Sequence, residues 1–210
     1  MNKHKTAQLF SVIVMIVGVL VMFGWFLDID ILKSILPQWV TMKFTTALCF
    51  FLSGITLFYI ITNMTGNPEL ARLILPVPCL MIALFMVSLL MSSFFGIQTG
   101  IENLFVREEP QAIQTIVPGR PSVGSMVAFI AVVISGFCTL LNSPNLGKQL
   151  TILGWIIGIT SALAIVGYII NIPLFYYTIE GFSTATAVHT AILFTFIAIG
   201  LQLAGKIKYG

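Results

Sequence analysis

Charge is what this chain has least of. Asp, Glu, Lys and Arg together make up 8% of its 210 residues, against roughly 25% in an ordinary soluble domain. That excludes a water-facing globular surface. The ten lysines and arginines are scattered and leave a net charge of only +3, so the basic stripe of a nucleic-acid-binding protein is missing. There are three cysteines, Cys49, Cys79 and Cys138, each inside an apolar run. No CxxC pair or Cys/His cluster occurs, which argues against a structural metal or a disulfide framework. The two histidines, His4 and His189, fall on opposite sides of a core about 30 Å thick, so they cannot clamp one haem. Nothing in the chain reads as a catalytic site, and no cofactor is indicated.

What the chain does have is long apolar runs, with 58% hydrophobic residues overall. A bilayer core takes about 20 helical residues to cross. Six runs approach that length, at about 8–27, 44–62, 71–95, 122–142, 150–170 and 185–204. Turn chemistry separates them at Asn63-Met-Thr-Gly-Asn-Pro68, Pro118-Gly-Arg-Pro121 and Asn142-Ser-Pro-Asn-Leu-Gly147. Backbone groups in lipid must be satisfied within the segment, so the runs predict helices, and they lack the alternation of barrel strands. The first run follows Lys3-His-Lys5. It is too long for a signal-peptide core and lacks a small-x-small cleavage site, so it reads as a retained span. The expected fold class is all-α integral membrane, six transmembrane helices in one membrane domain over residues 1–210.

Lysine and arginine bias sets the orientation. With the N-terminus inside, Lys3, Lys5, Arg72, Lys148, Lys206 and Lys208 are cytoplasmic, and Lys33, Lys43, Arg107 and Arg120 are outside. Asp28, Asp30, Glu102, Glu108, Glu109 and Glu180 also fall outside, and only Glu69 inside. Both termini are therefore expected in the cytoplasm of a prokaryotic cell with the chain in its plasma membrane. The Asn63–Thr65 sequon then lies inside, where it is not glycosylated. On the outside, residues 28–37 carry apolar side chains at helical spacing beside charges and are expected to lie in the interface plane. Trp25, Trp39, Phe175, Tyr176 and Tyr177 mark that boundary.

The second, fourth and sixth runs open on the same pattern: Thr46-Ala-Leu-Cys-Phe50, Ser125-Met-Val-Ala-Phe129 and Thr190-Ala-Ile-Leu-Phe194. A small hydroxyl residue stands four positions before a phenylalanine, which puts both on one helix face. Each opening is preceded by a connection led in by Gly24-x-x-x-Asp28-Ile29, Gly96-x-x-x-Gly100-Ile101 or Gly167-x-x-x-Asn171-Ile172. The pattern predicts three parallel helical-hairpin repeats around an axis along the membrane normal.

Gly24-Trp-Phe-Leu-Asp-Ile29, the stretch from Leu36 to Phe50, Val117-Pro-Gly-Arg120 and Ala187-Val-His-Thr-Ala191 carry a resemblance. From about residue 15 to 204 the sequence resembles the N-terminal multi-span sensor region of many bacterial histidine kinases and GGDEF-type diguanylate cyclases. The resemblance implies an input module whose ligand is undefined. No phosphoacceptor histidine segment, ATP-binding glycine motif or GGDEF-like sequence follows Lys206, so the output is expected on another chain. The second repeat departs from the pattern, with Val123-Gly-Ser-Met126 where the others read Thr-Ala.

His189 is the single ionisable residue placed within a run, and such groups tend to face the bundle interior and mark function. It reads either as a ligand contact or as a neutral histidine bonded to a neighbouring helix. Lys43 and Arg120 precede the second and fourth runs at comparable places. They are expected to snorkel outward, the alternative being pairing with Asp28, Asp30 or Glu102 to brace the outer loops. Gly154-x-x-x-Gly158-x-x-x-Ala162 forms a smooth stripe for close helix packing, within the bundle or against another subunit. Pro76 and Pro78 should kink or delay the third helix.

Three functions compete: a sensory or ligand-binding input module acting through a partner protein, a structural accessory subunit of a larger membrane complex, and a transporter or membrane enzyme. The last is disfavoured by the near absence of ionisable residues in the runs. A ligand site is expected in the outer third, from His189, Thr46, Thr190, Ser125, Trp25 and Trp39, with Thr45 nearby. A small, largely apolar molecule such as a quinone headgroup or lipid suits it better than an ion.

Overall fold

The structure is a computed structural model that describes residues 3–36, 38–108, 113–177, 179 and 182–207. Pro37, Glu109, Glu180 and Lys208, used above for boundaries and orientation, lie outside the described residues. The chain is all-helical: α1 (Lys3–Phe26), α2 (Asp30–Lys33), α3 (Phe44–Met64), α4 (Pro68–Ile74), α5 (Pro76–Phe95), α6 (Val123–Leu140), α7 (Leu146–Ile170) and α8 (Val188–Ala204), with 3-10 turns at Ile101–Asn103 and Pro173–Tyr176. No strand is present among the described residues.

Among the described residues, five helical stretches are long and apolar enough to cross a membrane: α1, α3, α4 with α5, α6 and α7. The sixth apolar helix, α8, has 17 residues and a length of about 25 Å. It begins later than the apolar run does, because Thr184–Ala187 is extended backbone leading into it. His189 therefore sits in the first turn of α8 and not deep within a helix. Pro76 acts as expected: α4 ends at Ile74 and α5 restarts with Pro76 as its first residue, because proline has no N–H to continue the ladder.

Helices α1 and α3 pair as one hairpin, α5 and α6 as a second, and α7 and α8 as a third. The second member of each hairpin lies inside. Of the apolar window of α3, 72% is buried, against 28% for α1 and 28% for α7. Each outer helix also touches the inner helix of a neighbouring hairpin: α1 touches α8, α5 touches α3, and α7 touches α6. At the centre Phe50, Phe129 and Phe194 meet. Their ring centroids are 4.9, 4.7 and 4.8 Å apart, pair by pair, in the tilted and edge-on range that aromatic quadrupoles favour.

The residues before the three inner helices adopt nearly one conformation: Lys43 at φ −66, ψ 148, Ser122 at −66, 151 and Ala187 at −65, 148. Only Ser122 caps with its side chain, its hydroxyl accepting from the Ser125 N–H at 3.1 Å.

The first and third hairpin connections are built alike. The Ile29 N–H reaches back to the Gly24 carbonyl at 2.8 Å and that of Ile172 to Gly167 at 2.9 Å. The residues between, Asp28 and Asn171, are left-handed at φ 55 and 56, as helix C-termini favour. The chain then makes one short turn and returns through Met42 N–H to Lys33 carbonyl and Thr186 N–H to Tyr176 carbonyl, both 2.8 Å. The residue after each glycine clamps that return. Trp25 Nε1 donates to the Met42 carbonyl and Tyr168 Oη to the Thr186 carbonyl, each at 2.8 Å. In the second hairpin the matching closure is Ile97 N–H to Ser92 carbonyl at 3.1 Å, with Gly96 left-handed. It falls four residues before the Gly96-x-x-x-Gly100-Ile101 word, because α5 ends at Phe95 and the extra residues belong to a longer connection.

Residues 28–36 do not form a continuous surface helix. One four-residue turn, Asp30–Lys33, is all the helix there, since Lys33 turns inward between Asp28 and Asp30, each 2.7 Å from its Nζ.

Candidate functional site

All three hairpin connections gather at one end of the bundle, the loop end; one buried ion pair ties the first to the second, another braces the second, and hydrogen bonds such as Ala185 N–H to Gln114 carbonyl join the third. Lys43 Nζ donates to Glu108 Oε1 and, at 2.6 Å, to the Thr115 hydroxyl. Thr41 Oγ1 donates to the same carboxylate oxygen at 3.0 Å, and the Gly119 N–H donates to the other at 2.7 Å. The two side chains are 3% and 5% exposed, so every lone pair used here replaces water. Burial pulls the Lys43 ammonium below the usual lysine range, and the Glu108 charge works against that fall.

The second pair is Arg120 with Glu102. Arg120 Nη2 donates to Glu102 Oε1 at 3.0 Å, to the Ser92 hydroxyl at 2.5 Å and to the Ile97 carbonyl at 3.0 Å. Thr99 donates to Glu102 Oε2 at 3.1 Å. Burial pushes the Glu102 carboxyl up, but hydrogen bonds from its own N–H, Ser92, Arg120 and Thr99 outweigh it and hold the group at about 2. Gly119 joins the two pairs. Its φ is +75, and a Cβ there would lie 1.9 Å from the Glu102 carbonyl oxygen, so no other residue fits this place in Val117-Pro-Gly-Arg120.

Outward snorkelling of Lys43 and Arg120 is thus corrected. Both turn inward because the second connection brings the carboxylates of Glu102 and Glu108 to them. The sequence offers Glu102 as a bracing partner, whereas nothing in the local sequence marks Glu108.

The residues expected to form a ligand site divide into three groups. Thr46, Ser125 and Thr190 are buried in the first turns of the three inner helices, one helical turn before the central phenylalanines, and Thr45 is buried beside Thr46. Ser125 accepts from the Ser122 hydroxyl at 2.8 Å, and Ser122 lies 2.5 Å from the Thr186 hydroxyl. Trp25 and Trp39 are structural at the loop end. Trp25 clamps the Met42 carbonyl beneath Lys33, whose Nζ is 5.3 Å from the ring centroid, and Trp39 packs on Tyr168 at 5.7 Å. His189 stands apart and lines a groove of about 180 Å³, shared with α1, α2 and the residues after α2.

Val17, Leu20 and Val21 of α1 form one wall of that groove, and Ile31, Leu32 and Ile35 close it from above. The Nε2 of His189 is buried and has no hydrogen-bond partner among the described residues. A buried polar atom in that condition costs about 1–3 kcal/mol.

In the small-residue stripe, Gly154 and Gly158 face α8. A Cβ on Gly154 would come within 2.9 Å of the Ala198 carbonyl oxygen. Ala162 is exposed, one step off that contact.

No family model, curated protein or solved structure matches the chain. Fold and composition define its class as an all-helical protein with several helices apolar enough to be membrane-embedded.

Proposed function

We propose that this chain is a non-catalytic, membrane-embedded input module that binds a small apolar molecule at its loop end and acts through a partner protein. The observation that carries the reading is the buried, partnerless Nε2 of His189 in an apolar groove. The groove separates α1 from α8 at the loop end, while farther along the same helices Phe10 and Phe196 stack at 5.3 Å. An occupant in the groove wedges the two helices at one end and tilts them about that stack. The helices meeting at the stack carry the terminal segments of the chain, where a partner reads the change. The resemblance to bacterial sensor regions implies the same role.

The architecture belongs to this reading. Six spans arranged as three parallel hairpins are supported by the shared conformation before α3, α6 and α8, and both termini cytoplasmic in a prokaryotic plasma membrane by the lysine and arginine bias. The phenylalanine triangle and the matched bonds of the first and third connections support the hairpins too. Helix α8, at about 25 Å, crosses with the help of the extended, buried stretch 184–187.

Purification in mild detergent, followed by mass spectrometry of stoichiometric partners, tests the role. A kinase or cyclase chain is the expected partner. A constant complex with large non-signalling membrane subunits would replace this reading by that of an accessory subunit.

A further inference from the structure

The groove at His189 does not end at the loop residues that roof it. A second hollow, lined by Asp30, Ile31, Ser34, Ile35 and Thr41, shares Ile31, Ser34 and Ile35 with it. The two hollows adjoin along those three residues, and the trough so formed reaches from Asp30 and Thr41 at the loop surface to Val17 on α1, about 10 Å below Gly24 at 1.5 Å per residue.

The polar groups of the trough are unequal. Ser34 spends its hydroxyl on the Leu36 and Trp39 carbonyls at 2.8 and 3.1 Å. Thr41 donates to Glu108 at 3.0 Å, and Asp30 holds Lys33 at 2.7 Å. His189 Nε2 alone among these lining atoms is buried without a partner. Below the rim the remaining wall is aliphatic. Asp30 is the charged residue lining the rim; it and its neighbour Asp28 share the one ammonium of Lys33, a cluster that is net negative.

From this we infer that the trough takes a single-tailed amphiphile with an uncharged oxygen head, entering sideways from the bilayer. The inference rests on the ligand-binding reading above and narrows it to a chemical class. The tail replaces lipid along Val17, Leu20 and Val21. The head oxygen gives His189 Nε2 its missing hydrogen bond, which an imidazole nitrogen can donate or accept. A carboxylate or phosphate head is rejected by the acidic rim. Long-chain alcohols and isoprenoid quinones or quinols share this chemistry.

The test uses the full chain in phosphatidylcholine nanodiscs and two photoreactive probes of equal tail length, a long-chain alcohol and the corresponding fatty acid. The alcohol is expected to label peptides containing residues 17–35 or 189. His189→Phe, which fills the groove, and His189→Ala are expected to cut labelling about tenfold, the effect of one lost hydrogen bond to a buried group. His189→Gln should retain most of it. Val17→Trp blocks the lower trough without touching His189 and should act like His189→Phe. Competition by an unlabelled isoprenoid quinol against a saturated alcohol tells which source the site prefers. Equal labelling by the fatty acid, or labelling spread evenly over α5 and α7, overturns the inference. So does labelling unchanged in both His189→Ala and Val17→Trp. If the alcohol fails but a compact, tailless molecule stabilises the protein in a His189-dependent way, the amphiphile class is wrong and the ligand-binding reading stands.

Discussion

Lys43 and Glu108 lie 65 residues apart in the chain and meet as a buried ion pair at the loop end. Each comes from a different hairpin, so the pair is a tie between the first connection and the second. Breaking a buried pair by removing one partner leaves an uncompensated charge, which costs about 3–5 kcal/mol. Lys43→Met and Glu108→Leu alone should each lower thermal stability in detergent by an amount of that order. The double variant should recover most of it, because two apolar side chains replace two desolvated charges. Additive losses in the double variant would mean the pair is not a unit.

The second pair makes a prediction about acid. Glu102 is held at about 2 in the folded protein against an ordinary 4.5. A carboxyl whose folded value is depressed contributes stability above its unfolded value and loses it as pH falls through the folded one. Unfolding temperature should therefore be insensitive to this group from neutral pH down to about pH 5 and fall between about 4.5 and 2. In Glu102→Gln that part of the acid slope should vanish. An unchanged slope would show that other carboxyls carry the acid response.

The three central phenylalanines should be energetically alike. Truncating a buried phenylalanine to alanine costs about 3–5 kcal/mol, and Phe50→Ala, Phe129→Ala and Phe194→Ala should fall close to one another. Pairs of these changes should cost less than their sum, since the second removes contacts the first has already lost. A tolerated Phe194→Ala beside two severe variants would argue against three equivalent hairpins.

The orientation is checked by labelling. On a background without Cys49, Cys79 and Cys138, a cysteine at the exposed Arg107 should react with a membrane-impermeant thiol reagent added to intact cells. One at the exposed Lys5 should react only after lysis. The reverse pattern would turn the protein over and put the trough on the cytoplasmic side.

Much of the architecture was legible in the sequence because it rests on local terms. Apolar runs long enough to span a bilayer dictate helices wherever water is absent. Asp28, Asn171 and Pro76 mark helix ends by their own backbone preferences. The hydroxyl-to-phenylalanine spacing placed Phe50, Phe129 and Phe194 on comparable helix faces before any contact was known. One local signal misled: the glycine word at Gly96–Ile101 is out of step with the real closure at Ser92–Ile97, because glycine supplies a left-handed residue at both Gly96 and Gly100.

What the tertiary structure decided are the long-range matters, where no local preference chooses. Sequence alone put Lys43 and Arg120 at comparable places, but only the tertiary fold delivered Glu108 and Glu102 to them. Without those carboxylates both cations would be drawn outward to water, as their long stems allow. Thr46, Ser125 and Thr190 are three of a kind in the sequence and are all buried in the first turns of the inner helices. His189 is their neighbour in sequence, one residue from Thr190, yet opens onto a different wall. The reason is helical geometry: adjacent residues on α8 point about 100° apart, so one turns to the triangle and the other to α1. Composition determined that this protein is helical and apolar; the packing of three hairpins decided which of its few polar atoms were left without a partner.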